Sequence, residues 1–143
     1  MTLATKFMTL EGPFKMHRGG FIESPTLAYE TWGELNEAKD NAILIFTGLS
    51  PSAHAASSGE DQTPGWWENM IGEDLPLDTD KYCVICINSL GSCQGSTGPG
   101  CVNPETGEQY RLSFPDLAIE DIARSAAMVL EHLQIDQLRA MVG

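Results

Sequence analysis

IEDIARSAAMVLEHLQIDQLRAMVG, residues 119–143, decides the fold. Ile119, Ile122, Ala123, Ala126, Val129, Leu130 and Leu133 recur at helical spacing, with Glu120, Asp121, Arg124 and Glu131 on the other side. The spacing predicts an amphipathic helix whose apolar stripe faces a core. Glu120 and Asp121 in its first turn and His132 in its last suit the helix dipole, although Ala118 is a poor cap. After a short turn, Leu138 to Val142 (LRAMV) predicts a strand covered on both faces, followed by Gly143.

Two further apolar runs bounded by polar residues, Asn41 to Phe46 (NAILIF) and Lys81 to Ile87 (KYCVICI), predict strands of the same covered kind. Strands buried on both faces imply a parallel sheet. The order strand, long loop, strand, loop, helix, strand is an α/β order, and right-handed crossovers make the three strands parallel. Upstream, Phe14 to Arg18 and Thr26 to Trp32 are strand-like, the second alternating Leu27, Tyr29 and Thr31 with Ala28, Glu30 and Trp32. Gly19-Gly20 and Ser24-Pro25 punctuate this third of the chain, which predicts a meander of antiparallel strands. The expected class is α/β, a mostly parallel sheet with antiparallel N-terminal strands, within a single and incomplete domain spanning residues 1–143.

The connection between the two central strands is long for a compact domain and rich in Ser, Gly, Pro and acidic residues. Within it, GWWENMI (residues 65–71) predicts one or two helical turns that lay Trp66 or Trp67 on the sheet as core material. A second irregular stretch, Asn88 to Pro115, is dense in glycine.

Charge removes several function classes. With 20 acidic against 8 basic side chains, a net charge of −12, the chain lacks the clustered Lys and Arg that nucleic acid or anionic lipid requires. The longest apolar runs are too short to cross a bilayer. MTLATKFMTLEG carries no charged patch followed by an apolar core, so no secretory signal is expected and the cytoplasm is the default compartment. The spacing C-x-x-C at Cys83 and Cys86 suggests a metal site, but residues three apart on a strand point to opposite faces. No metal site is expected, and Cys83, Cys86, Cys93 and Cys101 are taken as small hydrophobes in a reducing compartment.

His54, Ser57, Ser58 and Asp61 contain the residue types of a catalytic triad, but they share one loop, whereas a triad needs groups fixed from separate parts of a scaffold. His17 and His132 are explained by surface solvation and by the helix dipole. GSTGPG, Gly95 to Gly100, has no following Lys and opens no helix, so it is a tight turn rather than a phosphate loop, with Ser96 or Thr97 as candidates to line a substrate path.

An apolar strand ending in Val-Gly after an amphipathic helix is how an α/β-hydrolase chain approaches its nucleophile elbow, G-x-S-x-G, with Gly143 as the first glycine. TLAYETWGELN (26–36), DNAILIFTGLSPSAHAASS (40–58), GWWENMIG (65–72), the stretch from Leu77 to Pro115 with NSLGSC, GSTGP and NPETG, and residues 119–143 resemble the homoserine O-acetyltransferase family. The likeness spans almost the whole chain, and TGLSPSAH is similar to the branch of serine O-succinyltransferases.

The resemblance implies the N-terminal portion of an α/β-hydrolase fold. It also implies an acyltransferase that moves a succinyl or acetyl group from acyl-CoA to the hydroxyl of L-serine or L-homoserine, in cysteine or methionine biosynthesis. An acyl-enzyme forms on a serine activated by histidine and aspartate. The serine is expected just beyond Gly143 and its partners farther downstream, so no catalytic residue is expected in this chain and the 143 residues alone are expected to be inactive. The resemblance places an oxyanion donor at the N–H of Leu49 and substrate choice in Gly48, Leu49, Ser50 and Pro51. Gly48 would allow a sharp turn, and Pro51 would stiffen the loop. Acyl-CoA is a co-substrate with no permanently bound cofactor, and a full-length homodimer is expected. An esterase of the same fold and a non-catalytic truncated remnant are the competing readings.

Overall fold

The structure, a computed structural model, describes residues 2–48 and 50–143. Among the described residues nine strands and one α-helix follow in chain order. They are β1 (Lys6–Thr9), β2 (Pro13–Lys15), β3 (Phe21–Glu23), β4 (Thr26–Trp32), β5 (Ala42–Phe46), β6 (Ile71–Gly72), β7 (Leu77–Asp78), β8 (Cys83–Ile87), α1 (Ile119–His132) and β9 (Leu138–Val142). A five-stranded sheet runs β1-β4-β8-β5-β9. β1 and β4 pair antiparallel, as do β4 and β8, while β5 pairs parallel with both β8 and β9.

The mixed sheet is the expected one, and the N-terminal third is arranged differently from a simple meander. β1 pairs β4 directly, and β2 with β3 forms a separate antiparallel hairpin inserted between them. The strand expected over 14–18 is shorter, because the chain turns at Gly19 and Gly20, both at positive φ, and the Gly19 N–H donates to the Met16 carbonyl. β5 starts one residue later than Asn41, whose side-chain amide instead donates to the carbonyls of Glu34 and Lys81 and so caps the entry of both central strands.

Period-two alternation sorts β4, β5 and β8 onto two cores. Leu27, Tyr29, Leu44 and Ile85 face one, which α1 covers with Ala126 and Val129 and the hairpin covers with Phe14 and Ile22. Trp32, Ile43, Ile45 and Val84 face the other, covered by Ala55, Ala56, Ile71 and Leu77. Cys83 lies in the first core and Cys86 in the second, on opposite sides of β8.

Three expectations are corrected. β9 takes its parallel place beside β5, but it is not covered. Its interior residues Arg139, Ala140 and Met141 are exposed, Met141 at 64%, because β5 alone flanks it among the described residues. Residues 66–70 form turns and 65–71 hold no helix, with Trp67 against the second core and Trp66 stacked on Trp67 at 5.5 Å between ring centroids. On α1, Ile119 is 82% exposed and Ala123 is exposed, while Asp121, expected on the solvent side, is fully buried. Ala118 supplies no side-chain cap. Asp121 reaches back instead, its carboxylate accepting the Ala118 N–H at 3.0 Å. Among the described residues no helix is long and apolar enough to cross a membrane.

Candidate active site at the carboxyl ends of the parallel strands

In open α/β sheets, ligands bind outside the carboxyl ends of the strands, where the connections diverge. The pairing of Ile45 with Val142 carries the ends of β5 and β9 side by side. A Cβ built on Gly143 would meet the Phe46 Cβ at 3.4 Å, so the glycine sits against the last residue of β5. Phe46, Thr47 and Gly48 then run along the rim of a cavity of about 480 Å³. Ser89, Leu90, Gly91 and Ser92, following β8, form its second wall, and Leu117, Ile119, Ile122 and Ala123 its third. The apolar residues of α1 that the core does not cover therefore line this cavity, and periodicity alone cannot separate the two uses.

Its polar groups are hydroxyls. Thr47 Oγ1 and Ser89 Oγ are 3.4 Å apart, and the Ser92 hydroxyl is held by the side-chain amide of Asn88, Nδ2 donating at 2.7 Å. Asn88 is completely buried, and its Oδ1 has no hydrogen-bond partner among the described residues. Ser89 and Ser92 were not singled out from the sequence. Their signal was position, immediately after a covered strand, and the glycine-rich surroundings masked it.

Ser96 and Thr97, candidates for a substrate path, are used otherwise. The Ser96 hydroxyl donates to the Asn88 carbonyl at 2.6 Å and accepts the Ala28 N–H at 3.0 Å. The Thr97 hydroxyl accepts the Thr26 N–H at 2.8 Å. Both hydroxyls serve backbone groups beside β4 and β8, and neither residue lines the cavity.

Of the residues tied to substrate choice, Gly48 is on the rim, Ser50 is exposed and Pro51 is half-buried. Leu49 lies outside the described residues. A Cβ at Gly48 would meet only Pro51 Cδ, at 3.7 Å, and its φ is not left-handed, so the backbone here does not demand glycine.

The segment after Pro51 is fixed at several points. Trp66 Nε1 donates to the Ser52 carbonyl at 2.8 Å, and Trp32 Nε1 donates to the Ser57 carbonyl at 3.0 Å. The Glu68 carboxylate takes the Ser57 hydroxyl together with the N–H groups of Ser57 and Gly65. Those bonds, the Ser57 hydroxyl first, hold the Glu68 carboxyl below the usual range. The His54 ring nitrogens face Glu30 and Thr63. Ser58 Oγ accepts the Asp61 N–H. The four residues weighed as a triad thus serve structural bonds, with no hydrogen bond from the His54 ring to either serine among the described residues.

Comparison with known proteins agrees with this layout. Residues 41–143 match the family model described as alpha/beta hydrolase fold. A serine O-succinyltransferase of Litchfieldella anticariensis is 57% identical over 140 residues, 98% of this chain and 38% of that protein. An L-serine/homoserine O-acetyltransferase of Streptomyces lavendulae is also 57% identical, over 98% of this chain and 37% of that protein. Among solved structures, homoserine O-acetyltransferase from Bacillus anthracis superposes with a TM-score of 0.89 at 30% identity, covering 99% of this chain and 39% of that one. The esterase E22 superposes with 0.88 at 34% identity, covering 97% and 40%. The chain spans less than two-fifths of the length of the curated relatives named here.

Proposed function

We propose that this chain, which belongs to the alpha/beta hydrolase fold family, forms the oxyanion side of an acyltransferase that moves a succinyl or acetyl group from acyl-CoA to the hydroxyl of L-serine or L-homoserine. The observation that carries this reading is the adjacency of Gly143 and Phe46 at the carboxyl ends of β9 and β5. In this fold the nucleophile sits on the turn after the fifth strand of the sheet, and one oxyanion donor comes from the loop after the third. On this reading β9 and β5, which adjoin in the sheet, take those two positions.

In the whole protein a serine after Gly143 attacks the thioester carbonyl, its proton passing to a histidine that an aspartate orients. The carbonyl oxygen gains negative charge and is held by the N–H after the serine and by the N–H of Leu49. Collapse expels the CoA thiol. The amino-acid hydroxyl then attacks the acyl-enzyme through a second oxyanion in the same cradle and releases the O-acyl amino acid. Gly48, Ser50 and Pro51 border the acyl group and bear on its length. Ser89 and Ser92 offer hydroxyls to its polar end. Relatives bearing succinyl- and acetyltransferase names support the class of reaction.

The setting that goes with this reading is cytoplasmic amino-acid biosynthesis by a homodimer, with acyl-CoA as the co-substrate. The test uses the full-length protein with acetyl-CoA or succinyl-CoA and serine or homoserine, following release of free thiol. Thiol release that requires the amino acid supports the reading. The likeness to esterase E22 favours a second reading, hydrolysis of small acyl esters. Ester cleavage with no acceptor dependence would establish it, and the absence of both activities leaves the non-catalytic remnant.

A further inference from the structure

The loop leaving β5 is anchored by a buried charge pair that the acyl-transfer chemistry does not use. Glu30, on β4, is 1% exposed. Its Oε1 accepts the hydroxyls of Thr2 at 2.6 Å and Thr5 at 2.9 Å, and its Oε2 faces Nδ1 of His54 at 2.9 Å. The other ring nitrogen of His54, Nε2, lies 2.8 Å from the carbonyl oxygen of Thr63 and 3.2 Å from its hydroxyl. An ionised Glu30 and the Thr63 carbonyl only accept, so with Glu30 as carboxylate each ring nitrogen donates and His54 is an imidazolium. Asp61 and Glu68 add negative potential at the ring, and the Cys86 thiol lies within the field of Glu30. Asp61 is itself occupied by the N–H groups of Leu3 and Thr63.

One charged ring therefore joins the N-terminal segment, β4, the loop that follows β5, and residues 61–63. Burying such a pair is costly, and apolar replacements of similar volume are often neutral or stabilising, so stability alone is a weak reason for it. What it supplies is a single backbone position. The His54 N–H donates to Ser52 Oγ at 3.2 Å, the Ser52 carbonyl is fixed by Trp66, and Ala55 donates to the Ala53 carbonyl at 2.9 Å. This is the segment that runs directly from the cavity rim.

We propose that Glu30 and His54 are positioning residues, an ion pair that sets the loop of residues 50–58 and through it the acyl-transfer site at the end of β5. Neither touches substrate. The inference rests on the acyltransfer reading for its kinetic consequence, and on geometry alone for its effect on the loop.

The test takes the full-length protein with Glu30→Gln, His54→Gln and the double variant. A misplaced site costs on the order of 10²-fold for about 1 Å, so kcat is expected to fall about 10- to 100-fold in each single variant, with KM for acyl-CoA within about threefold. The double variant is expected to be no worse than either single, and the alkaline limb of kcat, where His54 loses its second proton, is expected to move to lower pH in Glu30→Gln. Hydrogen exchange over residues 50–58 should quicken in both variants while 83–87 and 119–132 are unchanged. A lowered Tm with unchanged kcat in the folded protein, or unaltered exchange over 50–58, overturns the proposal. If the unaltered protein transfers no acyl group, the functional reading fails alone, and exchange still decides the pair. Should the variants not fold, nitrogen NMR of the unaltered protein at neutral pH decides. Two protonated ring nitrogens at His54 support the pair, and one refutes it.

Discussion

The carboxylate of Asp121 accepts the backbone N–H of His17 at 2.8 Å, joining the first turn of α1 to the turn between β2 and β3. Its second oxygen takes the Ala118 N–H at 3.0 Å, and Arg124 lies 3.7 Å away. Two backbone donors are thereby satisfied by one side chain with no exposure. Asp121→Ala removes the acceptor from the buried Ala118 N–H and from the part-buried His17 N–H, and hydrogen bonds to charged groups contribute about 1.5–3 kcal/mol each. The expected loss in chemical unfolding is about 3 kcal/mol, with Asp121→Asn milder because one amide oxygen still accepts. An alanine variant within experimental error of the unaltered protein would exclude this account of the cap.

Gly33 ends the YETWG stretch at φ +71, where a Cβ would lie 2.2 Å from the Tyr82 carbonyl oxygen and 2.5 Å from that of Thr79. Backbone is what it would strike, so no side chain can yield. Gly33→Ala combines overlap with left-handed strain, and a loss of about 3 kcal/mol or more is expected from the two together. Gly48→Ala is the contrasting case, since only Pro51 Cδ lies near. Its unfolding should shift by no more than about 0.5 kcal/mol, leaving any change in acyl-donor preference free of a stability effect.

What could be read from the chain alone was whatever the hydrophobic pattern specifies. β5, β8 and α1 are dictated by apolar runs and by helical spacing, and they lie where expected to within one or two residues. β9 was legible as a strand but not in its exposure, because LRAMV is equally apolar at an edge or in a centre, and neighbours decide which. The strand from Phe14 and the turn at Gly19-Gly20 were legible, whereas β1, β3 and the pairing of β1 with β4 were hidden, since short strands in mixed sequence carry little pattern and their partners are set by tertiary contact. The site divides the same way. Gly48, named from the resemblance, lies on the cavity rim, whereas Ser89, Ser92 and the Glu30–His54 pair carry no joint signal in the sequence, because no spacing relates positions that only the folded sheet brings together.

Four cysteines offer a chemical check on the two cores. Burial, aided by the charge of Glu30, pushes the Cys86 thiol up to about 12, and burial also raises Cys83. Cys93 is exposed, and Cys101 is half-buried. Thiolate is the reactive species, so a disulfide reagent at neutral pH should modify Cys93 first and Cys101 more slowly, with Cys83 and Cys86 protected until denaturant is added. Peptide mapping of the labelled protein reads the order directly. Rapid labelling of Cys86 in the folded state would mean that β8 is not covered on the Glu30 face.

The same pair gives stability a defined pH dependence. Burial pulls the His54 ring down, but the bond to Glu30, the Thr63 carbonyl and the nearby carboxylates outweigh it and raise its pKa above the ordinary value. A raised folded value means that the native state holds its proton more tightly than the unfolded chain does. This contribution is complete below an unfolded value of about 6.5 and fades as pH climbs through the higher folded one. Asp61 acts at the other end. The Thr63 hydroxyl and N–H and the Leu3 N–H lower its carboxyl to about 2, so its share is present above the ordinary carboxyl range and is lost as pH falls towards 2. Unfolding free energy measured across pH should decline on the alkaline side of neutrality in the unaltered protein, and that decline should flatten in His54→Gln. An unchanged alkaline slope in the variant would show that the ring gains no proton affinity on folding and that its contact with Glu30 is one of shape alone.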